Sequence, residues 1–227
     1  MTDNPKPFRI VFLLFDGITQ LDFSGPAQFL ARMPGAVVHT AAKRIQPIQT
    51  DSGFAILPSH GFADCPQADL LCVPGGFGTK EVIADAATLQ FLRDQAAGAQ
   101  YVTSVCTGSL ALGAAGLLNG KRATSHWAYT ALLERFGAIH EKARVVKDGN
   151  IITAGGVTSG IDFALTVIAE IAGREFAETV QLGLEYDPQP PFDSGHPDHC
   201  VPKLVAMLQD RVYRQQTSDL TAIIDRP

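Results

Sequence analysis

Residues 101–110 read YVTSVCTGSL, and this stretch decides the fold of the chain. Its first half is β-branched and aromatic, which is typical of a buried strand. Its second half opens a run over residues 107–118 that is rich in Ala, Leu and Gly, which predicts a helix packed closely against a sheet. Cys106 falls where the strand becomes the helix. The stretch therefore predicts a strand-to-helix elbow that directs its central side chain above the sheet.

Cys106 at such an elbow is a candidate nucleophile. A helix N-terminus offers free N–H groups and the positive end of a dipole, and both favour the thiolate, which is the reactive form of Cys. The alternative is a structural Cys, because this residue type is usually buried. The small neighbours Thr107, Gly108 and Ser109 favour the nucleophile, since they let backbone or a ligand approach closely.

The composition and charge favour a single cytoplasmic α/β domain. The 227 residues are 46% hydrophobic and carry a formal net charge of −5, which suits one domain with a sizeable core. The acidic balance argues against nucleic acid or an anionic membrane as a partner. We expect no signal peptide and no membrane span, because neither an apolar leader nor a run of about 18 apolar residues is present. The 4 cysteines form no CxxC pair, which favours reduced thiols.

Alternating strand and helix patterns predict a mostly parallel sheet covered by helices on both faces. The predicted strands cover residues 8–15, 37–42, 69–73, 101–105 and 122–127, with hairpins at 45–58 and 144–153. The predicted helices cover residues 26–33, 85–97, 107–118, 128–136, 160–172, 176–186 and 201–216. We interpret residues 1–227 as one domain, with a core over about 8–186 and a Pro-rich loop and C-terminal helix over 187–227.

Asp22 is a second candidate site residue. We expect it in the loop that leaves the first strand, because Pro26 can start the helix that follows. Sites in open α/β sheets gather at the carboxyl ends of strands. The apolar neighbours Leu21 and Phe23 indicate a carboxyl sheltered from water, which holds its proton more tightly. The alternative is a carboxylate that caps the helix.

Gly75 and Gly76 follow the strand predicted at residues 69–73. Glycines allow backbone conformations that are closed to other residues. The pair predicts either an ordinary tight loop or exposed N–H groups that bind a developing negative charge near Cys106.

His126 ends the strand predicted at residues 122–127, which we expect beside the Cys106 strand. It is therefore a candidate pocket residue, and the alternative is a partly exposed His that is hydrogen-bonded to backbone. A catalytic role for it is not required, because Asp22 can do the acid and base work. His196 and Asp198 lie in the Pro-rich loop, so we expect no glutaminase triad.

Three motifs together resemble the class I glutamine-amidotransferase-like superfamily, in its ThiJ and intracellular-protease branch. They are LDFSGP at residues 21–26, VPGG at 73–76 and TSVCTG at 103–108. Supporting stretches are KRATSHWAY at 121–129 and GIDFAL at 160–165. The combination with VQL at 180–182 and LEY at 184–186 is more specific and resembles the isocyanide (isonitrile) hydratases. The resemblance covers about residues 8–191.

The resemblance implies a flavodoxin-like sandwich, a homodimer, and hydration of an isocyanide to an N-substituted formamide without a cofactor or a metal ion. Carried over by position, Cys106 is the nucleophile that forms a covalent thioimidate. Asp22 is the general acid and base beside it. Thr107 and the backbone of Gly75 and Gly76 would shape the pocket and orient water or substrate.

Two departures and one alternative bear on this interpretation. Thr107 stands where intracellular proteases of the superfamily carry His, so peptidase activity is not expected. Asp22 stands where many members carry the longer Glu. The alternative is a ligand- or redox-sensing domain, since AraC-type regulators contain a closely similar domain followed by two helix-turn-helix units. Only about 40 residues follow Tyr186 and they are not strongly basic, so we expect no DNA-binding half.

Overall fold

A seven-stranded sheet forms the centre of the molecule in the computed structural model, which describes residues 7–225. The strands are β1 (Phe8–Leu13), β2 (Ala36–Ala42), β3 (Ile48–Gln49), β4 (Ala55–Ile56), β5 (His60–Gly61), β6 (Leu70–Val73), β7 (Tyr101–Val105), β8 (Arg122–Ala123), β9 (Ile139–His140), β10 (Val145–Asp148) and β11 (Ile151–Ala154). The order in the central sheet is β10-β11-β7-β6-β1-β2-β5, and only the β10–β11 pair is antiparallel.

Helices cover both faces of this sheet. They are α1 (Gln20–Leu30), α2 (Thr79–Ala84), α3 (Ala86–Gly98), α4 (Gly108–Ala114), α5 (Ser159–Ala172), α6 (Arg174–Gly183), α7 (Pro202–Leu208) and α8 (Arg214–Ile224). A 3₁₀ helix spans Thr130–Phe136, and a π-helical turn, Gln209–Tyr213, joins α7 to α8. One face packs against α1, α5 and α6, and the other against α2, α3, α4 and α8. The predicted α/β class is therefore confirmed.

The side chains of β1 show why the sheet is buried on both faces. Val11 and Leu13 belong to one core cluster, while Ile10 and Phe12 belong to the other, because successive side chains of a strand point in opposite directions. All four are inaccessible to solvent. Each such side chain contributes about 1.5–3 kcal/mol of hydrophobic free energy. The continuous apolar run in the sequence is thus the pattern of a central parallel strand.

Helix α1 begins earlier than the sequence predicts, and this moves Asp22. The helix starts at Gln20, so Asp22 lies in its first turn and not in the preceding loop. Pro26 lies inside the helix instead of starting it, although an interior Pro typically costs about 3 kcal/mol. A Cβ atom built on Gly160 would lie only 3.0 Å from the Pro26 ring. The ring therefore packs into the close approach of α1 and α5.

The strand predicted at residues 122–127 does not belong to the central sheet. Only Arg122–Ala123 is extended, and this β8 pairs with β9 in a separate two-stranded sheet. The neighbour of β7 is β11, in the register Ile151↔Val102. All four residues of β11 are buried, whereas Arg122 is exposed, so β11 fits a central position and β8 does not.

The C-terminal region is longer and more divided than the single helix predicted at residues 201–216. Helix α7 has no buried side chain. Helix α8 is anchored, because Leu220 is fully buried and Asp219 accepts a hydrogen bond of 2.9 Å from Lys80. Residues 187–199 contain no helix or strand, as predicted. Across residues 7–225, no helix has the length and apolar character needed to cross a membrane.

Candidate active site

Cys106 directly follows β7 at the carboxyl edge of the sheet. Its φ angle is +58°, a left-handed value that is uncommon outside glycine. Its N–H lies 3.1 Å from the carbonyl oxygen of Ala154 and 2.8 Å from that of Gly155, at the end of the neighbouring strand. These hydrogen bonds hold the strained backbone in place. The predicted elbow is therefore present, and it is built by two strand ends.

The Cys106 sulfur lies in a buried environment that keeps it protonated. Backbone N–H groups of Thr107 and Val157 donate hydrogen bonds to it, and these lower the pKa of the thiol. Burial raises that pKa more strongly, and the charge of Asp22 raises it further, so the net pKa is well above its usual range. The N–H groups at the elbow therefore favour the thiolate, as expected, but burial and the charge of Asp22 outweigh them in the free site.

Asp22 lies beside Cys106 and is inaccessible to solvent. Its Oδ2 accepts a 2.9 Å hydrogen bond from the N–H of Gly75, while Oδ1 has no hydrogen-bonding partner within residues 7–225. Burial raises the pKa of Asp22 to about 7, and the charge of Asp51 adds to the shift. Hydrogen bonds with the Gly75 N–H and the Cys106 side chain lower the pKa and offset part of this rise. The carboxyl is therefore sheltered, as its sequence neighbours predicted.

Gly75 and Gly76 do not offer free N–H groups, so that part of the prediction is wrong. The Gly75 N–H is used by Asp22, and the Gly76 N–H donates to Oγ1 of Thr107 at 3.0 Å. A Cβ atom on Gly75 would lie 2.5 Å from the Thr107 nitrogen and 2.9 Å from the Cys106 Cβ. Only glycine therefore lets this loop pack against the elbow.

Thr107 is fixed by a second threonine, Thr79, that the sequence did not single out. The two Oγ1 atoms are 2.8 Å apart, and the Thr79 hydroxyl lies 2.8 Å from the Gly76 carbonyl oxygen. When Thr79 donates to that carbonyl, the Thr107 hydroxyl donates to Thr79 and accepts from Gly76. Thr107 then keeps one lone pair for a ligand.

A cavity of about 450 Å³ opens over Cys106, within the size range of small-molecule sites. Its lining residues are Thr19, Gln20, Leu21, Asp51, Ser52, Gly76, Phe77, Cys106, Thr107, His126, Tyr129, Val157, Val212, Tyr213 and Gln216. The structure thus brings four predicted residues, Gly76, Cys106, Thr107 and His126, to one cavity. The other two, Asp22 and Gly75, lie next to Cys106 without lining the cavity themselves.

His126 reaches the cavity from the turn after β8. Its Nδ1 accepts a 3.3 Å hydrogen bond from the Ala128 N–H, which assigns the ring hydrogen to Nε2 in the neutral form. Burial lowers the pKa of His126 to about 4, so the ring is neutral at pH 7. His196 and Asp198, in the Pro-rich loop, do not line the cavity over Cys106.

Among the polar cavity residues that the sequence did not single out, Tyr129, Tyr213 and Gln216 lie on the side of the C-terminal helices. The Tyr129 hydroxyl donates to Oε1 of Gln216 at 2.6 Å, and Nε2 of Gln216 donates to the Gly76 carbonyl at 3.3 Å. The third, Tyr213, packs its ring against His126. Two of the three come from the C-terminal helices, whose polar amphipathic pattern gave no signal of a site.

The arrangement places one nucleophile and one acid/base group beside each other at the floor of the cavity. Two groups that interact this strongly lose their protons in two separate steps. Above a pH of about 7 the Cys106–Asp22 pair therefore holds a single proton. Such a pair can attack an electrophilic atom and protonate that same atom. Within residues 7–225 no three His, Cys, Asp or Glu side chains are arranged to hold a metal ion.

Known proteins with similar sequences and structures agree with this geometry. The profile of the DJ-1/PfpI family matches residues 8–170. An isonitrile hydratase of Pseudomonas putida is 56% identical over 203 residues, which are 89% of this chain and 89% of that protein. The crystal structure of a ThiJ/PfpI family protein from Pseudomonas syringae superposes with a TM-score of 0.93 at 42% identity, covering 97% of this chain and 91% of that one.

A transcription factor is also similar to this chain. A helix-turn-helix type transcriptional regulator of Pseudomonas aeruginosa is 30% identical over 192 residues. The match covers 81% of this chain but 52% of the regulator. The shared region therefore serves in proteins of two different classes.

Proposed function

Because the chain belongs to the DJ-1/PfpI family, we propose that it is an enzyme that hydrates isonitriles to N-substituted formamides without a cofactor. The observation that carries this proposal is the Cys106–Asp22 pair under the cavity. An isonitrile has one reactive carbon, which is electrophilic toward sulfur and becomes basic once it is attacked. It needs a nucleophile and a proton donor at the same atom, and this pair supplies both.

In the first half of the reaction, the sulfur of Cys106 bonds to the terminal carbon of R–N≡C. The single proton of the pair moves to that carbon, giving the thioimidate R–N=CH–S–Cys106 and leaving Asp22 as a carboxylate. The Asp22 atom suited to this transfer is Oδ1, which has no other partner. The raised pKa of Asp22, about 7, suits proton transfer near neutral pH.

In the second half, Asp22 takes a proton from a water molecule that attacks the thioimidate carbon, and the substrate nitrogen gains a proton. The C–S bond of the tetrahedral intermediate then breaks, releasing R–NH–CHO and returning one proton to the pair. The N–H groups of Thr107 and Val157 stabilise the departing thiolate. In this proposal, the free lone pair of Thr107 accepts a hydrogen bond from the water and orients it.

The test is turnover of one alkyl and one aryl isocyanide by the purified protein. We expect the formyl proton of the formamide to appear by NMR, with the oxygen coming from ¹⁸O-labelled water. Mass spectrometry of enzyme quenched during turnover should show substrate mass added to Cys106. Cys72→Ala is the matched control, because Cys72 is buried in β6 and outside the cavity. Absence of formamide with both substrates would overturn the proposal.

A ligand-sensing domain is the second candidate, and the similarity to the transcriptional regulator supports it. Binding alone does not require a carboxyl with a free buried oxygen beside the thiol, whereas hydration does. A sensor would bind an isonitrile or formamide without consuming it. Calorimetry that shows binding by the wild-type protein, together with no turnover, would favour the sensor.

We also propose that the protein is a homodimer, that it acts in the cytoplasm, and that it forms one domain over its whole length. The family resemblance supports the dimer, and the unpaired spacing of the cysteines supports a reducing compartment. Sedimentation at micromolar concentration should give twice the monomer mass. A monomer at that concentration would contradict the dimer.

A further inference from the structure

Two tyrosines line the cavity over Cys106, and their hydroxyl groups differ. The Tyr129 hydroxyl is held by Gln216, whose amide is in turn held by Gly76. The Tyr213 hydroxyl has no hydrogen-bonding partner within residues 7–225. Tyr213 is half-buried and lines the cavity, so its hydroxyl is the tyrosine hydroxyl there that is free to donate to a ligand.

Tyr213 is placed by a feature that no regular helix would provide. It is the last residue of the π-helical turn Gln209–Tyr213, and such turns occur frequently at functional sites. The turn is followed by α8, which is anchored at Leu220 and by the Lys80–Asp219 ion pair. The position of Tyr213 is therefore set by a helix that is anchored at these two points.

The Tyr213 ring is fixed as well. Its centroid lies 5.1 Å from that of His126, 5.4 Å from that of Trp127 and 5.6 Å from that of Tyr129. The last two contacts are edge-to-face, a favourable geometry for aromatic pairs. A ring held on three sides can present its hydroxyl without losing further conformational entropy when a ligand binds.

The Cys106 sulfur lies close enough to affect Tyr213. Burial raises the pKa of the Tyr213 phenol, and the negative charge available to Cys106 raises it further. The phenol is therefore neutral near pH 7 and can donate a hydrogen bond. Asp22 lies outside the cavity lining, next to the sulfur, so it serves the carbon and the water.

The substrate nitrogen needs a hydrogen-bond donor from the moment that water attacks, before the water-derived proton reaches it from Asp22. In the thioimidate, water attack on the carbon moves an electron pair onto nitrogen, which becomes negative until it is protonated. The nitrogen carries the substituent R and therefore points into the cavity. A fixed donor is most effective where charge develops during the reaction.

Resting on the hydration proposed above, we propose that the Tyr213 hydroxyl is a catalytic group that donates a hydrogen bond to the substrate nitrogen during hydrolysis of the thioimidate. The phenol keeps its proton throughout. It stabilises the developing charge while the water-derived proton passes from Asp22 to the nitrogen. Tyr213 thus acts on the second half of the reaction and not on formation of the C–S bond.

The decisive variant is Tyr213→Phe, which keeps the ring and its three contacts. We expect kcat to fall by about 10²- to 10³-fold, the scale for loss of one preorganised hydrogen-bond donor. Because the first half is spared, the Cys106 thioimidate should accumulate and be visible by mass spectrometry of the quenched enzyme. The matched control is Tyr186→Phe, which loses a hydroxyl bonded to Asp162 outside the cavity and should leave kcat and adduct level unchanged.

Each result decides the assignment. A Tyr213→Phe variant with wild-type kcat, or one that is slower without accumulating adduct, overturns it. Replacement of Tyr213 by a fluorinated tyrosine guards against misfolding, since it changes only the acidity of the phenol. The rate should then be lost at a lower alkaline pH than in the wild type, because a phenolate cannot donate. If the pH at which the rate falls on the alkaline side is the same in both proteins, the assignment to Tyr213 is also overturned. Absence of turnover in the wild type would instead refute the hydration.

Discussion

The cavity has two walls that are held in the molecule by different means. The elbow at Cys106 is fixed by hydrogen bonds to the end of the neighbouring strand β11, and its surroundings are almost inaccessible to water. The opposite wall, residues 209–216, is carried by the C-terminal helices, where α7 buries no side chain. The comparison teaches that the proposed nucleophile and acid lie on a buried wall made of strand ends and the first turn of α1, while the helical wall encloses the ligand and supplies one donor.

The largest expected effect is the removal of the nucleophile. Cys106→Ala should fold and lose turnover by more than about 10³-fold, because no other group can form the covalent intermediate. Turnover of a fixed isocyanide measures this directly. Cys72→Ser, in contrast, should keep turnover and lose roughly 1–3 kcal/mol of stability, since it leaves a hydroxyl in a buried strand. Retained activity in Cys106→Ala would show that the elbow is not the reacting wall.

The next effect concerns the acid and base at the same wall. Asp22→Asn preserves size but cannot transfer a proton, so kcat should fall by about 10²-fold or more. Alkylation of Cys106 by a small thiol reagent should persist, because the N–H groups of Thr107 and Val157 remain in place. If the variant turns over isocyanide at the wild-type rate, the proton comes from another group, and His126 is the next candidate in the cavity.

The pH dependence of kcat/KM tests the shared proton. Below a pH of about 7 Asp22 is protonated as well as Cys106, and the pair then lacks a base. We expect kcat/KM to fall about tenfold per pH unit below that pH and to level off above it. A profile measured with a neutral isocyanide, whose own charge does not change, isolates the enzyme. A flat profile between pH 5 and 8 would contradict a carboxyl with this pKa.

The same carboxyl makes the elbow a source of instability. The pKa of folded Asp22 is raised from 3.8 to about 7, so its stabilising contribution is complete below pH 3.8 and is lost as pH rises to 7. Asp22→Asn should therefore be more stable than the wild type at pH 8, by up to about 4 kcal/mol. Thermal melts at pH 8 and pH 5 measure the difference, which should shrink at the lower pH. An equal difference at both would refute the buried charge.

The smallest expected effect is at the helical wall. Gln216→Leu removes the hydrogen bonds to Tyr129 and Gly76 and leaves the buried Tyr129 hydroxyl unpaired. We expect a loss of about 1–3 kcal/mol in stability and a change of less than about tenfold in kcat. Melting curves and steady-state kinetics give both values. If Gln216→Leu lowers kcat as much as Asp22→Asn does, the two walls do not differ in their contribution to the reaction.

The sequence predicted the strands and the elbow well, because central parallel strands are continuous apolar runs. Residues 10–13 and 70–73 show this pattern and fold accordingly, and residues 101–105 were predicted from their β-branched and aromatic side chains. Asp22 was predicted in the loop before α1, but it lies in the first turn of that helix. Pro26 is a strong signal for a helix start, and the packing of Pro26 against Gly160 is a tertiary contact that the local sequence does not show. No local pattern distinguishes a Pro that starts a helix from one that another helix accommodates.

The helical wall could not be predicted, for a different reason. Tyr213 and Gln216 lie in a stretch whose amphipathic pattern is that of any surface helix, and a π turn has no sequence signature. The glycines illustrate the same limit. Gly75 and Gly76 were correctly placed beside Cys106, but whether their N–H groups are free depends on Asp22 and Thr107, which lie far away in the chain.

The Cys106 N–H donates hydrogen bonds to the carbonyl groups of Ala154 and Gly155, so the elbow can form only after those residues have been synthesised. During synthesis the elbow sequence leaves the ribosome well before β11, the strand that holds its backbone. Until that strand is made and paired with β7, Cys106 belongs to an open chain with an ordinary, accessible thiol. The last strand of the sheet to be translated thus fixes the backbone of the nucleophile, before the helical wall of the cavity is made. A chain released before β11 would carry Cys106 without the burial and the hydrogen bonds that shield the thiol and hold it in place for the reaction.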